Sequence, residues 1–176
     1  MNDTKKNNVK FYSILIALVI IIIATLSVTV WAILTKEKTV ITPDYAPVEL
    51  DPNATPINGN EDKLPHSEGG SSVGIIYAKD LTVNLRNREI ELLFANPQRS
   101  NQDMVIAIVI QGCLLVTSGR ITPGNKITRL KLNSDATERL TVGGYNGKII
   151  ISCYNPVSGE KSLLNTEISV LIQVVE

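Results

Sequence analysis

The segment from Phe11 to Leu34, FYSILIALVIIIIATLSVTVWAIL, runs for 24 residues without a charge. Its only hydroxyl side chains are Tyr12, Ser13, Thr25, Ser27 and Thr29. At about 1.5 Å of rise per residue, a helix of that length reaches roughly 36 Å, enough to cross a hydrocarbon core of about 30 Å with some tilt. The alternative, a buried core helix, is disfavoured because the run is apolar on every face and bracketed by lysines. Lys5, Lys6 and Lys10 precede it and Lys36 and Lys38 follow it. Phe11 and Tyr12 at the start and Trp31 near the end are expected to be membrane-interface anchors, since amphipathic rings favour the headgroup zone. A cleaved signal peptide has an apolar region of about 7 to 15 residues that ends in small side chains, whereas this one is longer and ends in Trp31-Ala32-Ile33-Leu34. The expectation is an uncleaved, single-pass signal-anchor helix. No Cys follows it to carry a lipid, and Leu15 stands at the fifth apolar position, where a type IV pilin start has Glu.

The rest of the chain is read through its charge. The 176 residues carry 17 basic and 17 acidic side chains, a net charge of zero. That balance argues against a nucleic-acid binder, which needs a basic surface. The zero is a sum of unlike blocks: +2 over residues 1–10, +1 over 36–38, −5 over 39–72 and +2 over 73–176. With three Lys at the start, the positive-inside bias predicts a cytoplasmic tail at 1–10, a transmembrane helix at 11–34, and everything beyond it outside the cell membrane.

Residues 35–72 are expected to be an acidic, Pro-rich stalk. Five of the eight Pro fall between 39 and 72, and the segment has too little apolar surface to offset its ordering entropy. Asp51, Asn53 and Thr55 have the alternating oxygen spacing of an EF-hand loop, but Pro56 stands where that loop needs Gly. Leu64-Pro65-His66-Ser67-Glu68 resembles a sortase signal only superficially, since no apolar tail and basic end follow it.

From residue 73 to 176 short β-rich runs alternate with turns, which predicts an all-β domain. Candidate strands are Val73–Ala78, Leu81–Arg86, Glu89–Ala95, Met104–Gln111, Cys113–Thr117, Lys126–Leu132, Lys148–Tyr154 and Asn165–Val175. Turn chemistry separates them at 86–88, Gln111-Gly112, Pro123-Gly124-Asn125, Gly143-Gly144 and 156–159. The size and spacing suit an immunoglobulin-like β-sandwich of seven or eight strands, with a small β-barrel or jelly roll as the alternative. Leu140-Thr141-Val142-Gly143-Gly144-Tyr145 resembles the tyrosine corner of bacterial immunoglobulin-like domains, which implies a structural bond from the Tyr145 hydroxyl to nearby backbone. Cys113 and Cys153 lie on different candidate strands, 40 residues apart. They are read either as a disulfide on the oxidising side or as two buried thiols acting as small apolar side chains.

Little in the chain points to catalysis. Triads, Cys-His pairs and most metal sites need His, and the only one is His66 in the stalk. Glu89 and Glu91 share a strand face, where a solvent-facing role is favoured over acid-base work. No phosphate-binding glycine loop is present. The reading is a non-enzyme with no cofactor, no metal and no evident small-molecule substrate. Its few aromatic residues disfavour a lectin. The polar loops Asn96–Asp103 and Asn133–Glu138 are the accessible places where a partner could be recognised.

The segments DYAPVELDPNA (44–54), FANPQRSNQDMV (94–105), SGRITPGNKIT (118–128), GGYNGK (143–148) and NTEI (165–168) resemble a group of small surface proteins of Gram-positive bacteria, especially gut inhabitants. The resemblance covers stalk and domain, and its motifs are turns and strand edges. It implies one membrane anchor and an exterior β domain, with no catalytic residues to carry over. Two function classes follow. One is a cell-surface binding, adhesion or structural module with an unknown surface or envelope protein as partner. The other is an accessory subunit of an envelope assembly, such as surface-fibre, secretion or conjugation machinery, whose helix packs against partner helices.

Overall fold

A computed structural model of the chain describes residues 3–34, 42–58 and 73–176. It divides into two compact units, Met1–Lys38 and Thr39–Glu176. The first is a helix, α1 (Asp3–Leu34), with side chains described from Leu15 to Trp31. All of these are exposed, although most are Ile, Leu, Val or Ala. The hydroxyls are satisfied inside the helix: Thr25 donates to Ile22 O at 2.9 Å, Ser27 to Ile23 O at 2.8 Å and Thr29 to Thr25 O at 2.8 Å. Back-bonding of this kind removes the cost of placing a hydroxyl in apolar surroundings. Among the described residues no helix is long and apolar enough to cross a membrane. The 17 residues from Leu15 to Trp31 reach only about 26 Å at helical rise, short of a core of about 30 Å. Trp31 is exposed. The side chains of Phe11 and Tyr12, together with Lys36, Lys38 and His66, lie outside the described residues.

The second unit is all-β. Its strands are β1 (Thr55–Pro56), β2 (Ile76–Tyr77), β3 (Asp80–Asn84), β4 (Glu89–Asn96), β5 (Asp103–Ile110), β6 (Cys113–Thr117), β7 (Asn125–Lys131), β8 (Gly143–Tyr154) and β9 (Lys161–Val175), with a one-turn-and-a-half helix α2 (Ser134–Arg139) after β7. All pair within one sheet, ordered β1-β7-β4-β3-β9-β8-β5-β6, with β2 also on β4. The pairing is antiparallel throughout, except that β3 runs parallel to β9.

This arrangement differs from the expected two facing sheets. β6 pairs with β5, and the chain then continues along β5 until Met104 and Ile121 exchange both backbone bonds, at 2.9 and 2.8 Å. Past a corner at Pro123-Gly124, where Gly124 has φ +86°, the same run becomes β7 on β4. The two ends of the sheet are thus joined by consecutive residues, and the sheet curls into a half-barrel. A curled sheet and a sandwich both demand inward-outward alternation, so the strand pattern does not separate them.

The curl wraps a dry interior. One inward row runs Ile168, Ile149, Ile108, Val116 across four strands, and another runs Val174, Val83, Ile90, Leu130. All but Ile168 are buried. Burying each such side chain contributes about 1.5–3 kcal/mol. β5 is buried along its whole length, as its unbroken VIAIVI run requires of a central strand. The β5–β6 hairpin turns at Gln111 (φ +48°) and Gly112 (φ +76°), a two-residue turn with both positions left-handed.

The second difference concerns the expected stalk. Residues 42–58 are bonded to the β unit as a strap. Lys161 N–H donates to Asp44 O, Ala46 N–H to Gly159 O and Ile57 N–H to Gly124 O, each at 2.8 Å. Asp51 N–H donates to Arg120 O at 3.0 Å, and Arg120 N–H to Glu49 O at 3.2 Å. Asp51 is buried, with Oδ2 accepting from Gly119 N–H and Oδ1 from Asn53 N–H, both at 2.8 Å. The Asp51 oxygens that suggested a cation loop are therefore engaged, one by the strap's own backbone and one by Gly119 of the sheet. The remainder of the expected stalk, 35–41 and 59–72, lies outside the described residues.

Gly119 is where strap and sheet come closest, since a Cβ there would stand 2.7 Å from Asp51 Cα. Gly119→Ala must push the strap away, and we expect it to lower stability in urea by about 1–3 kcal/mol. Limited proteolysis should then cut within 42–58 before it cuts β4, β5 or β8.

Candidate binding surface

From its sequence the loop from β4 to β5 is an accessible polar segment. Its polar residues are instead mostly buried. Asn96, Ser100, Gln102 and Asp103 are each at most 3% exposed, leaving Gln98 and Arg99 as the exposed tip. Asn96 Nδ2 donates to Gln102 O and Ile121 O, both at 2.9 Å. Ser100 Oγ accepts from Gly74 N–H at 2.9 Å and donates to Gly74 O at 3.1 Å. The Gln102 side chain also bonds to the Ser162 hydroxyl. These contacts tie the loop to the segment before β2, to the β6–β7 corner and to the start of β9.

At the mouth of this polar corner lies an open depression of about 520 Å³, lined by Asn101, Asp103, Arg120, Thr122, Pro123 and Pro156. Its charged groups are the ion pair Arg120 Nη1–Asp103 Oδ2, 3.6 Å apart. Arg120 also donates through Nη2 to Val48 O at 3.4 Å, so the pair sits between strap and sheet. Burial pushes the Asp103 carboxyl above its ordinary 3.8, against a smaller opposing pull from Arg120. Arg120 Nε and Asn96 Oδ1 are buried without a hydrogen-bond partner among the described residues. The arrangement can hold a polar partner group by hydrogen bonds.

The other sites expected from sequence are dispersed. Tyr145 Oη donates to Thr141 O at 2.9 Å and lies 2.8 Å from the Thr141 hydroxyl, the bond a tyrosine corner calls for, here at the entry to β8. Cys113 and Cys153 are both free thiols. Cys153 opposes Met104 and Cys113 opposes Ile110, six residues further along β5. Six residues of strand are about 20 Å, far beyond the reach of a disulfide. The bridge is therefore not formed, and burial pushes the Cys153 thiol up to about 11, leaving it protonated. Glu89 and Glu91 both reach Arg129, at 3.4 Å each, on an outer face. Of the loop 133–138, most became α2, which buries Ala136. Asn133 donates its backbone N–H to Leu115 O at 2.8 Å and its Nδ2 to Leu114 O at 3.3 Å, covering the outer edge of β6. Among the described residues no group of His, Cys, Asp and Glu could hold a metal ion.

Sequence reasoning missed Arg120, weighed Asp51 only as a cation ligand and took Asn96 as part of an accessible loop. Asp51 lay in a stretch that reads as solvated, and an Arg beside a turn carries no mark of its burial. No protein-family model matches the chain, and a comparison with curated proteins finds no match either.

Two outcomes follow from the ionisable groups. A carboxyl whose folded-state pKa is raised adds stability below 3.8 and loses it as pH rises through the raised value. Relative to Asp103→Asn, the native protein should therefore lose urea stability as pH rises from acid to neutral. Intact mass should not change on reduction, and Cys153 should resist alkylation at pH 8 until the chain is unfolded.

Proposed function

We propose that the chain is a single-pass membrane protein that displays its β unit on the outer side of the cell membrane as a binding or adhesion module without enzymatic chemistry. The observation that carries the reading is α1. The 24-residue uncharged run lies wholly within a helix, its described side chains are mostly apolar on every face, and the hydroxyls of Thr25, Ser27 and Thr29 are satisfied internally. Such a helix needs lipid or apolar protein around it. Lys5, Lys6 and Lys10 on one flank favour a cytoplasmic N-terminus. The β unit supplies an open polar depression lined by Asn101, Thr122 and the Arg120–Asp103 pair, a feature suited to a polar partner group. The Tyr145 bond is of the tyrosine-corner kind, and the resemblance of segments 44–54, 94–105 and 118–128 to Gram-positive surface proteins belongs to the same reading.

Protease treatment of intact cells should remove a tag placed after Glu176 and spare one placed before Met1; the reverse pattern sinks the orientation. Replacing residues 11–34 with an unrelated anchor should preserve binding by the β unit. Loss of function on that exchange would favour an accessory subunit of an envelope assembly, in which α1 itself contacts partner helices.

A further inference from the structure

Asp103 keeps a buried carboxyl group without a hydrogen-bond donor. The residue is 3% exposed, and its ion-pair partner Arg120 Nη1 stands 3.6 Å away, beyond hydrogen-bond length. Among the described residues neither carboxyl oxygen accepts a hydrogen bond. Arg120 is underused on the same side. Its side chain makes one hydrogen bond among the described residues, the 3.4 Å contact from Nη2 to Val48 O, which leaves Nη1 facing Asp103 across a gap. Buried polar groups are nearly always hydrogen-bonded, so a carboxyl held in this way calls for a donor from outside the chain.

Such a donor has a way in, because both residues line the open depression of about 520 Å³. Pro123 and Pro156 stand beside them, and no aromatic ring lines the space among the described residues. The surroundings are apolar and uncovered. Val48, whose carbonyl takes the Arg120 bond, is 90% exposed, and Val157, next to Pro156 in the β8–β9 turn, is 95% exposed. Apolar contacts around a polar anchor shut out water once a protein surface closes over them, which strengthens the central contact. A free sugar would gain little from aliphatic neighbours of this kind and would want an aromatic platform.

The chemistry of the guest follows from the pair. Its charges cancel, so an anionic group entering the gap would meet the Asp103 carboxylate and a cationic one the Arg120 guanidinium, each a like charge. A neutral guest must accept from Arg120 and donate to Asp103 side by side. A carboxamide does both from one plane, and its N–H can be accepted whether the carboxyl is ionised or protonated.

We propose that the depression takes an Asn or Gln side chain of a partner protein, with the amide oxygen on Arg120 Nη1, the amide nitrogen on Asp103 Oδ2, and apolar neighbours of that residue against Val48 and Val157. The proposal rests on the reading of the β unit as a binding module and names the group it binds. Its test uses the purified chain, so it can fail while the protease result stands, or succeed while that result is reversed.

The probes are acetyl-Val-Asn-Val-amide and its counterparts with Asp or Leu at the centre, added to the full chain in detergent. Nitrogen–proton NMR of the backbone and of the arginine side chains reads the binding. The Asn peptide should shift Asp103, Arg120 and Thr122 saturably. The Asp and Leu peptides should bind about tenfold more weakly, the first for its like charge and the second because it leaves both groups unpaired. Arg120→Met keeps an apolar stem and the backbone bonds to Glu49 and Asp51, and it should erase the preference for Asn while the signals of β4 and β8 stay in place. Equal binding of the three peptides, binding of none, or saturation by methyl glucoside in place of the Asn peptide would overturn the proposal. A folded Arg120→Met chain that still prefers the Asn peptide would overturn it too.

Discussion

The pair of backbone hydrogen bonds between Met104 and Ile121 decides the shape of the β unit. It lets one run of chain serve β5 on one side of a corner and β4 on the other, which bends a long sheet around its own interior. Everything polar near the depression follows from that corner. Asn96 holds Ile121 O from one side, Arg120 projects beside it toward Asp103, and Gly119 leaves just enough room for Asp51 to cross. A chain that closed its core with two separate sheets would have no such crossing point for the strap to hold.

Most strands were legible because their alternation is written in side chains. The unbroken apolar run of β5, the Gln111-Gly112 turn and the Leu81-Val83 alternation of β3 all occupy the places their pattern implies. Strand order was not legible, since alternation specifies which side of a strand is dry and leaves its neighbours open. The strap was missed for a related reason. Its attachment runs through backbone groups of Asp44, Ala46 and Ile57, and its composition of Pro, Asn and acids matches that of a solvated linker. The same limit applies to the 96–103 loop, whose Asn, Ser, Gln and Asp are buried because each finds a partner. Polar composition forecasts exposure only when those partners are out of sight.

α1 and the β unit solve opposite versions of one problem. In the β unit most apolar side chains are hidden and most buried polar groups find a partner. In α1 the described apolar side chains are outermost, and Thr25, Ser27 and Thr29 fold their hydroxyls back onto carbonyls one turn earlier. Each is the arrangement its own surroundings reward, and the sequence marks the change of regime with the charged and proline-rich residues between them.

The strap also sets how the β unit would bear load. A pull arriving along the chain from its N-terminal side meets Asp44 and Ala46 first, then the Asp51 crossing, and only afterwards the sheet. These attachments lie far apart in sequence from their partners at 119–124 and 159–161, so releasing them frees chain length without unzipping β5, β8 or β9. Strap and interior are thus held by separate sets of hydrogen bonds, and opening the first would leave the second in place.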